Sequence, residues 1–399
     1  MHQEIPARVR ITGASLPLII VLFLLASARS VQAAPTSGLV SQSKSWQIVT
    51  SPSTSATNNA LTGVAAFSAN DVWAVGQAQY YPSPLTPIVE HWDGSAWSIV
   101  STPPSGTFSE FNAITTIPGT NELWAVGTWA TSKHGQQGLA ELWNGTRWKI
   151  IHTAIVNSSV FSGVAALSAT DAWAVGNYYQ NSQMPNAALI EHWNGKKWSQ
   201  VPAAYPSGSQ HSFLNSVIAL SATDVWAVGS YDNGIESPGF TLVEHWDGTQ
   251  WSLVSSPSPA PNNNVLLSVS SVPGTSNLVA AGYTFDGSNT QSLVEAWNGS
   301  SWSVVSTPVV GAGSQLYGVI ALSAKSAWAV GDDYDGQGDT STLTEHWNGK
   351  AWSVVSSPNP STMSMLYGLV NVPQSGKLWA VGAYYDSQSN EFTLTEHYS

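Results

Sequence analysis

Residues 61–100 read LTGVAAFSANDVWAVGQAQYYPSPLTPIVEHWDGSAWSIV, and most of the chain consists of variants of this stretch. The shared pattern is L-x-G-V-x-A-L-S-A-x-D-x-W-A-V-G, a loop, and then L-V-E-H-W-(N/D)-G-x-x-W-S-V-V. The Trp of W-A-V-G recurs at Trp73, Trp124, Trp173, Trp226, Trp328 and Trp379, with Val279 in the remaining place. Successive copies lie 51, 49, 53, 53, 49 and 51 residues apart. The Glu of the second half recurs seven times, at Glu90, Glu141, Glu191, Glu244, Glu295, Glu345 and Glu396. The final Trp recurs only six times, at Trp97, Trp148, Trp198, Trp251, Trp302 and Trp352.

The seventh copy of that Trp sits at the other end of the sequence. The chain ends at Glu396-His397-Tyr398-Ser399, just before it is due. Ahead of the first repeat, Trp46-Gln47-Ile48-Val49-Thr50-Ser51-Pro52 matches Trp352-Ser353-Val354-Val355-Ser356-Ser357-Pro358. The repeat is permuted by one strand. An open solenoid has no use for this and needs polar caps. A closed ring does, because the strand from one terminus locks the unit begun by the other.

Each unit reads as four strands. In the first, these are about Gly63 to Phe67, Val72 to Gly76, Ile88 to Trp92 and Trp97 to Val100. Asp93-Gly94, Asn-Gly in most copies, is a tight hairpin signal, since both residues tolerate positive φ. Four strands and a period of about 50 residues match a propeller blade. Along Trp73-Ala74-Val75-Gly76, Trp and Val face one side of the sheet and Ala and Gly the other. A large face can then pack on the small face of the next blade. The expected fold is all-β: a seven-bladed β-propeller over residues 44–399, closed by the N-terminal strand.

Composition agrees. Only 9% of the 399 residues are charged, and 20 are Trp. Such a chain suits many short strands joined by polar turns. Residues 1–33 differ. Arg8 and Arg10 precede the apolar run Leu16 to Ala26, and Val31-Gln32-Ala33 precedes a cleavage point. This is the layout of a secretory signal peptide, followed by a linker over 34–43, and it predicts a secreted chain. The alternative is an uncleaved anchor built on the uncharged stretch from Ile11 to Ala28. After cleavage no membrane span is expected.

There is no cysteine, which excludes disulfides, thiol catalysis and Cys-ligated metals. Removing residues 1–33 leaves 9 basic against 23 acidic residues. That balance repels a phosphate backbone, so no nucleic-acid partner is expected. Arg147 is then the only arginine, which excludes an arginine cluster for a substrate carboxylate.

The order of apolar strand ending in Gly, loop, aromatic-Asp/Asn-Gly and Trp resembles the kelch repeat. The resemblance covers all seven units, with one Gly where kelch repeats carry two. The units also look like the Trp-rich WAVG and EHWNG repeats of secreted bacterial proteins. The resemblance implies a propeller with strand closure and leaves function open.

The Glu-His-Trp triplets at 90–92, 191–193, 244–246 and 345–347 invite a catalytic or metal reading. Sevenfold recurrence on separate blades favours architecture instead: a hydrogen-bonded Glu-His pair, or a backbone clamp, in each blade. The irregular positions are better site candidates. Just past the Gly of strand 2, in the loop to strand 3, come Tyr80, Tyr81, Trp129, Tyr178, Tyr179, Tyr231, Tyr283, Phe285, Tyr334, Tyr384 and Tyr385. Asp232, Asp286, Asp333, Asp335 and Asp386 follow them. Aromatic rings with short acceptors suit a glycan or protein ligand on the long-loop face. The plainer alternative is that these rings tuck against neighbouring blades. Asp333, Asp335 and Asp339 offer oxygen ligands for Ca²⁺, although their spacing departs from the calcium-loop signature. No other cofactor is expected, and the chain is expected to act as a monomer. The leading function is a non-catalytic binding module. The alternatives are a carbohydrate-active enzyme using two loop carboxylates near the channel, and a purely structural surface protein.

Overall fold

The computed structural model describes residues 44–104, 106–131, 135–154, 156, 158–180, 186–234 and 237–399. The expected signal peptide and linker lie outside them. Strand β1 (Trp46–Ile48) opens the chain. Blade 1 is β2 (Asn58–Ser68), β3 (Asp71–Gln79), β4 (Leu85–Trp92) and β5 (Trp97–Ile99). Blade 2 is β6 (Phe108–Thr116), β7 (Leu123–Thr131), β8 (Gly135–Trp143) and β9 (Trp148–Ile150). Blade 3 is β10 (Val160–Ser168), β11 (Asp171–Tyr178), β12 (Ala187–Trp193) and β13 (Trp198–Gln200). Blade 4 is β14 (His211–Ser221), β15 (Asp224–Asp232), β16 (Gly239–Trp246) and β17 (Trp251–Leu253). Blade 5 is β18 (Asn263–Ser271), β19 (Leu278–Phe285), β20 (Thr290–Trp297) and β21 (Trp302–Val305). Blade 6 is β22 (Gly313–Ser323), β23 (Ser326–Tyr334), β24 (Thr340–Trp347) and β25 (Trp352–Val354). Blade 7 is β26 (Ser364–Val372), β27 (Lys377–Tyr385), β28 (Glu391–Tyr398) and β1.

All pairings within blades are antiparallel, and the first strands touch in a ring from β2 round to β26 and back to β2. Closure is as expected: Trp46 pairs with Tyr398, Gln47 with His397 and Ile48 with Glu396.

The blades are held together by aromatic sandwiches. The strand-2 Trp of one blade is clasped by two aromatics from strands 3 and 4 of the next. Trp73 lies between Trp143 and Trp148, Trp124 between Trp193 and Trp198, and Trp173 between Trp246 and Trp251. Trp226 lies between Trp297 and Trp302, and Trp379 between Trp92 and Trp97. At the closure, Trp328 of blade 6 meets Tyr398 at 4.5 Å and Trp46 at 5.7 Å. Tilted and edge-on geometries dominate, as ring quadrupoles require.

Each first strand carries a β-bulge just after its buried Leu or Phe, at Thr62, Asn112, Ser162, Asn215, Leu267, Tyr317 and Tyr367. The bulge explains the repeated Gly of strand 2. A Cβ on Gly76 would overlap the Ala60 carbonyl oxygen, and the other six copies face the same obstruction. Three bulge side chains donate to the next blade's bulge carbonyl: Thr62 Oγ1 to Phe111, Asn112 Nδ2 to Phe161 and Asn215 Nδ2 to Leu266, each at 2.8 Å.

Two local expectations need correction. The 3→4 hairpin is a four-residue loop, with Trp92 paired to Trp97. Only its Gly has positive φ. Asp93 Oδ1 instead accepts the amides of Ser95 and Ala96, and Asn144, Asn194, Asp247, Asn298 and Asn348 cap their loops likewise. Strands 1 and 2 are also longer than expected. β3 runs three residues past Gly76, because β2 starts early enough to pair with them.

Deleting residues 41–52 removes β1, Trp46 and one side of the last sandwich. The expected loss is at least the ~3–5 kcal/mol of a buried Trp truncation, whereas a change in the exposed Tyr80 loop costs about 0.5 kcal/mol or less. Denaturant unfolding of the two variants checks this, and equal stability would contradict the closed ring.

Candidate functional site

The 2→3 and 4→1 connections meet on one face. The amide of Thr57 reaches the Gln79 carbonyl, Thr107 that of Ala130, Gln210 that of Asp232, and Ala312 that of Tyr334. On this face the aromatics expected to bind divide into three groups, so they do not form one ring. Tyr80, Tyr81, Tyr179 and Tyr334 are exposed at the rim. Trp129, Tyr178, Tyr231 and Tyr384 pack on the blade cores, and Phe285 ends β19 half-buried. Most of the second group sit at the ends of strand 2 rather than in loops, Trp129 included. Tyr231 stacks on Phe240 at 5.2 Å and Tyr384 on Phe392 at 5.4 Å. Tyr283 and Tyr385 form the third group, half-buried on β19 and β27.

The acidic candidates mostly shape turns. Asp286, Asp335 and Asp386 accept amides from residues two to four positions on. Asp232 accepts from Gly234 N and pairs with His211 Nδ1 at 2.7 Å. Asp335 Oδ1 takes three amides, including that of Asp339, so this oxygen is engaged within the turn. Asp333 is pushed up by partial burial and by the charge of Asp335. Among the described residues no group of three or more His, Asp or Glu is placed to hold a metal ion.

A tighter constellation lies at the long-loop end of the channel in blades 5, 6 and 7. Two bulge positions there carry Tyr317 and Tyr367, whose rings meet edge to face at 5.3 Å. Asp332, on β23, is almost fully buried. Burial raises its pKa to about 6, the Tyr317 hydroxyl pulling it down and Asp333 pushing it up. Its Oδ1 has no partner among the described residues. Tyr385 donates to Glu391 Oε1 at 2.7 Å, and burial raises Glu391 as well. Tyr317 feels Asp332, Tyr367 and Tyr283, while Tyr367 feels Glu391, Tyr385 and Asp332. Burial pushes the hydroxyls of Tyr317 and Tyr367 well above the usual phenol range. The result is one continuous group of four tyrosines and two carboxyls. In the ring order blades 2 and 3 stand opposite, and in blade 2 burial raises Glu110 to about 7.

Sequence reading found Tyr283 and Tyr385 and placed Asp332 at the head of the acidic cluster running to Asp339, but missed Tyr317, Tyr367 and Glu391. The available signal was Leu-Tyr-Gly at 316–318 and 366–368, where blade 1 has Leu-Thr-Gly. At the second of these bulges the hydroxyl of Tyr367 donates to Met365 Sδ at 3.3 Å, in place of the carbonyl clamp of Thr62.

The repeated Glu and His do not pair with each other, because neighbours on a strand face opposite sides. The clamp alternative holds in part. Ser51 Oγ donates to Glu90, Ala154 N to Glu191, Ala204 N to Glu244 and Ser256 Oγ to Glu295. Each donor lies on the segment arriving from the preceding blade. His91, His192 and His245 instead bond the Asp that opens strand 2, at 2.8–2.9 Å, and His346 bonds Ser326. The His rings also lie against the strand-2 Trp rings, with centroids 4.2–4.7 Å apart.

No family model and no curated protein matches the chain. Solved structures share its fold. YCF48 from Cyanidioschyzon merolae superposes with a TM-score of 0.52 at 13% identity, covering 89% of this chain and 98% of its own. A GH74 xyloglucanase from Xanthomonas campestris gives 0.54 at 11%, with 88% of this chain aligned to 55% of that one. An ulvan lyase gives 0.52 at 9%, covering 82% and 89%.

The seven buried glutamates set a pH dependence. Burial raises Glu90, Glu141, Glu244 and Glu396 to about 8, and Glu191, Glu295 and Glu345 to about 7, from 4.5. Between these values the folded chain holds protons that the unfolded chain has released. Stability from these groups is therefore full below about pH 4.5 and falls as pH rises through 7–8. Urea midpoints should be lower at pH 8 than at pH 5, and Glu345→Gln should narrow the gap. A midpoint that rises with pH would contradict these shifts.

Proposed function

We propose that the protein is an exported, non-catalytic glycan-binding propeller whose site is the channel mouth of blades 5–7. The observation that carries this reading is the gathering of Tyr283, Tyr317, Tyr367 and Tyr385 with Asp332 and Glu391. The rings of Tyr317 and Tyr367 are half-buried. Such rings stack on the apolar faces of a sugar, and the acids offer hydrogen bonds to its hydroxyls. The kelch-like repeat and the signal-peptide layout support an exported scaffold. The names of the xyloglucanase and the ulvan lyase, both acting on polysaccharides, add support by analogy of fold.

A second reading rests on the same two acids. Asp332 and Glu391 are both raised by burial beside tyrosines, as groups that hand over protons must be. It assigns the mouth to hydrolysis or elimination on a polysaccharide.

A glycan array on the chain without residues 1–33 tests the first reading. A bound glycan is expected to lose tenfold or more in affinity on Tyr317→Ala or Tyr367→Ala, and little on Tyr80→Ala with Tyr81→Ala. Loss confined to the rim variants would move the site to the rim. Release of reducing ends or unsaturated products, abolished by Asp332→Asn, would replace the first reading with the second.

A further inference from the structure

Six blade interfaces clasp an indole ring, and the seventh, between blades 5 and 6, does not. Val279 stands where the other blades carry Trp. Ala296 stands where five blades carry the His that packs against that Trp. Both clasping rings of blade 6 are nevertheless present, Trp347 and Trp352, with centroids 6.0 Å apart. The two truncations leave a cavity of about 230 Å³ lined by Val279, Ala296, Asn277, Trp347 and Trp352. The exposed turn residues Ser323 and Ala324 form its rim, on the side opposite the long loops.

We propose that this cavity binds a small planar aromatic molecule with a ring N–H, of the indole class. An apolar cavity of roughly 150 Å³ takes up benzene, so this larger space admits a fused ring. Two sister interfaces, those of Trp73 and Trp226, supply the pose. Trp73 lies 4.7 Å from Trp143 and 5.9 Å from Trp148, and its Nε1 donates to Asp71 Oδ1 at 2.8 Å. The corresponding residues here are Trp347, Trp352 and Asn277. A bound indole faces Trp347, meets Trp352 at its edge and gives its N–H to the Asn277 side-chain oxygen. The site is separate from the channel mouth, so this inference does not depend on glycan binding.

Isothermal titration calorimetry with indole, 1-methylindole and N-acetyltryptophanamide tests it on the chain without residues 1–33. Saturable one-to-one binding of indole is expected, with 1-methylindole at least tenfold weaker. Val279→Trp refills the cavity and is expected to abolish indole binding while raising the melting temperature. Asn277→Leu keeps the cavity and removes the acceptor, so indole should weaken to the level of 1-methylindole. No saturable indole binding by the unaltered chain, or undiminished binding by both variants, would overturn the proposal. Preference for N-acetyltryptophanamide would assign the cavity to a partner's Trp side chain and overturn the free-ligand reading.

Discussion

One contact organises this protein: a Trp on the second strand of six of the seven blades, held between two aromatic rings of the next. It joins elements far apart in sequence, and it repeats round the ring. A blade alone is a four-stranded sheet with one bulky face uncovered. The sandwich covers that face with the neighbour's rings, so no blade is complete until the next has docked. At the last interface the covering ring is Trp46, from the opposite terminus. The chain thus solves the edge problem of a repeat protein by closing on itself instead of capping its ends.

The polar groups inside the ring follow from the same geometry. Each connecting segment crosses from an outer strand to the next inner strand, and a buried Glu of the receiving blade holds it in four interfaces. Burying an acid disfavours its charge, so the glutamates titrate far above their ordinary range. The bulges do comparable work near the axis. They turn a carbonyl over the strand-2 Gly and aim a side chain at the next blade. Where that side chain is Tyr, the clamp is lost and a tyrosine-carboxyl group takes its place.

The blade count and the closure were legible because both rest on period alone. Seven glutamates count the blades, and Trp46 is the copy absent after Tyr398. The finer structure was less legible, for identifiable reasons. Strand ends depend on how early the partner strand begins, which no single segment records. The His partner is an Asp some 20 residues earlier, brought close only by the pairing of strands 2 and 3. Tyr317 and Tyr367 read as ordinary strand residues, because the bulge that brings their rings together between blades 6 and 7 leaves no mark in the period. Loop aromatics drew attention by their irregularity, yet several of them simply continue strand 2 onto the cores.

The closed ring depends most directly on the contact that the N-terminal strand makes with blade 6. A double-mutant cycle of Trp46→Ala and Trp328→Ala, read by denaturant unfolding, measures it. Rings in direct contact across a closed interface predict a coupling energy of about 0.5–1.5 kcal/mol beyond the separate effects. Strict additivity of the two truncations would mean that the N-terminal strand does not close the ring.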